Sequence, residues 1–346
     1  MANIDITRAA VFGNQSDFGL ANINTAISGM GTPLNLGKGL VLGDRSAGID
    51  ESGISISIDR TLLEKVRTGK TNQPSDFVEI APSTLTFAFP MCGARRNASG
   101  TAADADFRHE TDLGIESILR ACGLIGAADG GGVGWLYKPD DAVPLTMKVF
   151  VSGIDYVFYD VLGDLSISYK GGEVPVATAT RAGKIQAIGT DAFPAVVDYG
   201  VQASQAAPSV ENVAFTWDAA KGPIDSWTIS ITNNLEEIND GNEPGGKKTR
   251  QVSRDIDISV TMMADHGDPD FELTELQRTA ITTDPVTFTV GTPGTDSNPV
   301  LAHKVLIDHP EIRSVEPTLV GGKLANVVTA RAVDSTDGDE LDLLFL

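Results

Sequence analysis

Hydrophobic and polar residues alternate with period two in short runs along this chain, the pattern of strands with one buried face. "GISISID" (53–59) and "SWTISIT" (226–232) show it most cleanly, and "FVEIAPSTLTFAFPM" (77–91) and "RQVSRDIDISVTMMA" (250–264) are longer examples. Further strands are expected near 144–151, 155–161, 164–170 and 173–181, joined by the turns "SG", "GD" and "KGGE", and again near 285–291, 299–307, 311–318 and 322–333. Two stretches follow helical spacing instead. Residues 108–123 place Leu113, Ile115, Ile118 and Leu119 on one stripe, with Thr111 or Asp112 to cap it and Gly123 to end it. Residues 268–281 start at Asp268 and Pro269 and carry Phe271, Leu273 and Leu276.

The order of these elements occurs twice. A strand, a long polar excursion (60–76, then 233–249), a long strand, a helix and four more strands make each half. At an offset of 173, Ile56-Ser57-Ile58 falls on Ile229-Ser230-Ile231, Leu62 on Leu235, Glu64 on Glu237, Leu85 on Ile258 and Phe87 on Val260. Beyond the helix the offset becomes 150, which places Gly171-Gly172 on Gly321-Gly322 and Arg181-Ala182 on Arg331-Ala332. The first half is longer by 23 residues, chiefly around 93–107 and in a Gly-rich loop at 123–137. The reading is an internal duplication of an α+β, mainly β unit. Its parts are an N-terminal arm (1–33), a first domain (34–190), a linker (191–207), a second domain (208–336) and a C-terminal segment (337–346). Each domain is a β-sandwich or partial barrel with one flanking helix.

Charge narrows the function. The formal net charge is −21, which repels nucleic-acid phosphates and disfavours ordinary DNA or RNA binding. Against that background the basic residues recur in the same excursion: Lys65, Arg67 and Lys70 in the first half, Lys247, Lys248 and Arg250 in the second, with Arg254 just beyond. The hypothesis is that both excursions are arms docking on an acidic surface, most simply another copy of the chain.

Catalytic constellations are missing. His109, His266, His303 and His309 lack metal-ligand spacing, and there is no G-x-S-x-G and no dinucleotide fingerprint. "GTPLNLGKG" (31–39) has five residues between its glycines where a phosphate-binding loop has four, Gly39 and not Ser or Thr follows Lys38, and no helix pattern follows, so it is not such a loop. The acidic cluster Asp334, Asp337, Asp339, Glu340 and Asp342 lacks calcium-loop spacing and reads as a solvated turn. Cys92 and Cys122 lie in apolar surroundings and read as small core residues of a protein made in a reducing compartment. The N-terminus has no signal-peptide pattern and no run reaches the roughly 20 apolar residues of a membrane span. Synthesis in the cytosol is expected, without cofactor, metal or membrane.

The stretch 226–282, with "WTISITNNLEE", "RQVSRDIDISVTMMAD" and "DFELTELQRTA", resembles the major tail (tail tube) proteins of long-tailed bacteriophages. The duplication extends the likeness to 53–182. The resemblance implies two tandem tail-tube-like domains, three chains per pseudo-hexameric ring, and rings stacked into a hollow tube through which DNA is ejected. It implies intersubunit barrel strands at Ile54, Ile56 and Ile58 and at Trp227, Ile229 and Ile231, and loops that reach the neighbouring ring. It also implies a place in the virion, assembled in a bacterial host. The partners would be further copies, a tape measure protein in the lumen, tail terminator and distal tail or baseplate proteins, and DNA passing without tight binding. The rival readings are another tail or secretion-tube component of the same fold, and a β-rich hydrolase using an Asp/His pair. The insertion at 93–107, the linker and the apolar end "LDLLFL" (341–346) match nothing in that family and are expected to decorate the outside or join subunits.

Overall fold

A computed structural model describes residues 9–14, 38–41, 55–58, 81–90, 116–128, 135–151, 154–171, 173, 175–189, 213–217, 224–239, 247–263, 285–290, 303–333 and 340–345. Among them the chain is mainly β, in two sheets, with one short helix. The second expected helix (268–281), the excursion 60–76, the insertion 93–107 and the linker 191–207 lie outside the described residues.

The first sheet carries the duplication. In the first half, β3 (Ser55–Ile58), β4 (Ala81–Pro90), β8 (Ile154–Lys170) and β9 (Val176–Gly189) lie in the order β3-β4-β9-β8. In the second, β11 (Ile224–Asn239), β12 (Lys247–Met263), β15 (Pro310–Val320) and β16 (Lys323–Ala332) lie in the order β11-β12-β16-β15. The order is the same, and so is the first register. Ile56 faces Leu85 and Ile229 faces Ile258, each residue 173 positions after its counterpart.

One counterpart differs from the sequence expectation. Leu85 faces Arg181 but Ile258 faces Ala330, so Arg181 corresponds to Ala330 and not to Arg331. Arg181 and Ala330 are both buried, whereas Arg331 is partly exposed and pairs with Asp255. The cause is local. The segment between Ser168 and Val176 is one residue longer than that between Thr318 and Ala325, where Gly321 and Gly322, at φ 55° and 81°, make a two-residue hairpin turn. A one-residue slip sends every following side chain to the other face.

Strand β8 was expected as two strands with a turn at "GD". It is one strand, bulged where Asp160 takes φ 53°. Gly163 serves close approach instead of a turn: a Cβ there would lie 2.2 Å from the Thr180 carbonyl oxygen. Residues 154–161 of β8 pair with β7 (Leu145–Val151), and β1 (Ala9–Asn14) and β2 (Lys38–Val41) extend the sheet beyond it, so part of the N-terminal arm belongs to the first sheet.

The second sheet runs β10 (Val213–Trp217), β13 (Val286–Val290), β14 (His303–Ile307), β17 (Asp342–Phe345), β6 (Trp135–Pro139), β5 (Leu124–Ala128). Phe288 of this sheet packs on Trp227 of the first, centroids 4.7 Å apart, and on Phe215 at 5.2 Å. The Gly-rich stretch expected as a loop is therefore largely a hairpin, β5–β6. The apolar C-terminal segment, expected outside, is the strand between β14 and β6, with Leu341 and Leu343 buried. Helix α1 (Glu116–Ala121) lies within the expected 108–123, whose residues 108–115 are outside the described ones; it buries Ile118 and Leu119, and Gly123 with φ 77° follows it.

Candidate assembly interface

The two halves join edge to edge. Strand β8 ends the four-strand run of the first half, β11 begins that of the second, and six residue pairs form an antiparallel ladder between them, from Ser226 facing Lys170 to Ile231 facing Leu165. Alternation sorts the seam into two faces. On the inner face Tyr169, Ile167 and Leu165 meet Trp227, Ile229 and Ile231, all buried, with Tyr169 stacked on Trp227 at 5.9 Å. Trp227, Ile229 and Ile231 were expected on an intersubunit strand. They occupy the core, and β11 is paired on both edges within the chain, because the neighbour it joins is the other half of the same molecule. In the first half, Ile56 and Ile58 lie on β3, which pairs only with β4 among the described residues; Ile54 lies outside them.

Polar groups lock the seam at one end. Asn233 continues the inward phase of β11 two positions after Ile231 and is 4% exposed. Its side-chain amide donates to the carbonyl oxygens of Cys122 (2.8 Å) and Gly163 (2.7 Å), its backbone N–H donates to Asp164 (2.7 Å), and its side-chain oxygen accepts from Gln251 (2.8 Å). Gln251 in turn accepts the Ala142 N–H. Arg254 donates to the carbonyl oxygens of Gly123 and Asp140, and meets Glu340 at 2.7 Å with both side chains largely buried. Nearby, Lys184 and Asp160 form a buried pair at 2.9 Å, and Asp160 also accepts the Thr249 N–H. A buried, cross-linked network of this kind fixes one geometry. Burial pushes the Asp164 carboxyl above its ordinary value, opposed by the Asn233 N–H and the Arg181 guanidinium. Burial likewise raises the Cys122 thiol, an inert core residue as expected.

Sequence reasoning missed this lock. The signal for Asn233 was present in its alternating phase; for Arg254 and Glu340 there was none, since their partners are 86 or more positions away, and Gln251's bond to the first half spans 109. Glu340 and Asp342, expected in a solvated turn, are ion-paired with Arg254 and Lys138.

The described part of the second excursion, 233–239 and 247–249, is a two-stranded ribbon. β11 and β12 stay paired out to Asn239 facing Lys247, with one irregularity near Asn234. Arg250 is exposed and reaches Glu236 across the ribbon at 3.3 Å; Lys248 lies on the same strand, half-buried, and Lys247 is at its start. Lys65, Arg67 and Lys70 lie outside the described residues. The ribbon's base, at Thr249, Gln251 and Arg254, is bound to the first half of its own chain.

The outer face of the seam is a carpet of small hydroxyls. One row crosses five strands as Ser168, Thr228, Ser259, Thr329 and Ser314, each facing the next. The neighbouring row runs Thr178, Ser166, Ser230, Asp257, Arg331. Arg331 is tied to Asp255. No group of metal-ligating residues occurs among the described residues, and His303 and His309 stand in a strand and its following turn. His109 and His266 lie outside them. No helix there is long and apolar enough to cross a membrane. Neither a protein-family model nor a curated protein matches the chain.

Proposed function

We propose that this protein is a structural subunit of a hollow tube, a tail-tube-like protein with two tandem domains, whose rings of three chains stack to conduct DNA. The observation that carries the reading is the single run β3-β4-β9-β8-β11-β12-β16-β15, in which two copies of one four-strand unit are already joined edge to edge. A sheet that continues itself in this way closes by repetition, and closure removes exposed strand edges. The polar face supports the conduit role. Its central row carries hydroxyls and no cation, and the adjacent row's Arg331 is neutralised by Asp255. DNA affinity grows with the number of phosphates that cations neutralise, so such a wall lets a duplex pass without holding it. The partners on this reading are other copies, the proteins at the two tube ends, a length-setting protein in the lumen, and DNA in transit; the protein is not an enzyme.

Electron microscopy of the purified protein across a concentration series tests this. Rings or tubes with threefold or pseudo-sixfold end views are expected. Monodisperse single chains at every concentration would overturn it. For the docking arms, reversal of Lys247, Lys248 and Arg250 to Glu is expected to leave rings but shorten stacks, and stacks of unchanged length would remove that role.

A further inference from the structure

The seam inside the chain specifies a seam between chains. We infer that β15 of one copy pairs antiparallel with β3 of a second copy, in the register β8 and β11 already use. The inference rests on the tube reading for ring closure and adds the edges, the register and the residues.

The counterpart of β8 is β15, and the counterpart of β11 is β3. Among the described residues each has one edge with no strand beside it. Transferring the β8–β11 register to these strands places Ser55 opposite Thr318, Ile56 opposite Pro317, Ser57 opposite Glu316 and Ile58 opposite Val315. Extended by one position, it sets Ile54 opposite Leu319. Every inward pair is then apolar, as Trp227–Tyr169, Ile229–Ile167 and Ile231–Leu165 are. Every outward pair is polar, as Thr228–Ser168 and Ser230–Ser166 are. A slip of one residue would set serines against the apolar stripe.

Exposure points the same way. Leu165, Ile167 and Tyr169 are 1%, 1% and 6% exposed because the second half covers them, while Leu319, the counterpart of Tyr169, is 71% exposed. Pro317, the counterpart of Ile167, is also exposed. Two apolar positions left open on one half beside the buried Val315, where the other half's three are covered, fit the unlike edge of another copy. This head-to-tail contact closes into a ring, unlike a twofold contact between two β15 strands.

Paired cysteines test the register. The variant S55C/T318C, oxidised and run under denaturing, non-reducing conditions, is expected to give covalent oligomers ending at a closed trimer, while S55C and T318C alone give none. S168C/T228C, the same register position within the chain, gives the intrachain control. Dimers from T318C alone would overturn the inference in favour of a twofold contact. Rings in the microscope, with the control bridge formed but no S55C/T318C product, would overturn the register and leave the tube reading standing. Single chains throughout would overturn both. Leu319→Glu provides a second arm. It is expected to keep the monomer's melting temperature and abolish oligomers, and wild-type assembly of this variant would refute the contact.

Discussion

Asn233 in the second half donates its side-chain amide to the carbonyl oxygen of Gly163 in the first, at 2.7 Å and out of contact with water. The bond closes one end of the seam, and its loss leaves two buried carbonyls and the Gln251 amide short of a partner. Replacing Asn233 by Ala is expected to cost about 3 kcal/mol, in the range for buried polar groups left unsatisfied. Urea denaturation measures it. Asn233→Asp is expected to be worse, because a carboxylate would face the Cys122 and Gly163 carbonyl oxygens. A loss below about 0.5 kcal/mol, the level of ordinary surface changes, would remove Asn233 from the lock.

Arg254 and Glu340 form the second fastening, which ties β12 to a residue two positions before β17. Removing one member of a buried pair strands the other charge, and Arg254→Ala is expected to cost about 3 kcal/mol. A double-mutant cycle with Glu340→Gln isolates the coupling, and additive effects would show the two residues act independently.

Gly163 is expected to tolerate no side chain. A Cβ there meets the Thr180 carbonyl oxygen at 2.2 Å and the Arg181 side chain at 2.7 Å. Forcing β8 and β9 apart next to the seam is expected to cost about 3 kcal/mol, at the upper end for overpacking. A Gly163→Ala protein with an unchanged thermal midpoint would contradict the packing described.

Asp164 sets a pH dependence. Its carboxyl is raised in the folded state, chiefly by burial, so the folded chain holds this proton more tightly than the unfolded chain. Its contribution favours folding at low pH and is lost as pH rises from the ordinary carboxylate range through the raised value. Asp164→Asn keeps an oxygen for the Asn233 N–H and removes the titration. The stability of the variant relative to wild type is therefore expected to rise as pH increases from about 4, the ordinary carboxylate value. Denaturation curves across that range check it, and parallel profiles would refute it.

Much of the strand content was legible because burial on one face writes period two into the sequence. Trp227, Ile229 and Ile231 marked β11, and the duplication at an offset of 173 matched the first ladder of each half. Three things were hidden. The ribbon beyond Asn234 has no solid core on either side, so its strands lack alternation and resembled a loop. Arg181 and Arg331 matched in residue type, but a turn one residue longer set them on opposite faces, and identity carries no information about register. β17 and the β5–β6 hairpin find each other over more than half the chain, and periodicity says nothing of distant partners. The inter-half lock shares that cause: apart from Asn233, its side chains look like solvated polar residues until the other half is in place.

The ladder between β8 and β11 joins parts of one chain, so it forms at a rate independent of protein concentration. Linking two modules gives them an effective local concentration of about millimolar for a short flexible connection. A single-domain ancestor of the same architecture would have had to make each seam by collision. In a ring built from this chain, alternate seams arrive already made, and only the remaining ones respond to dilution. Such an assembly has a lower kinetic order in subunits than one of single domains. Its critical concentration then reports the strength of one class of contact alone.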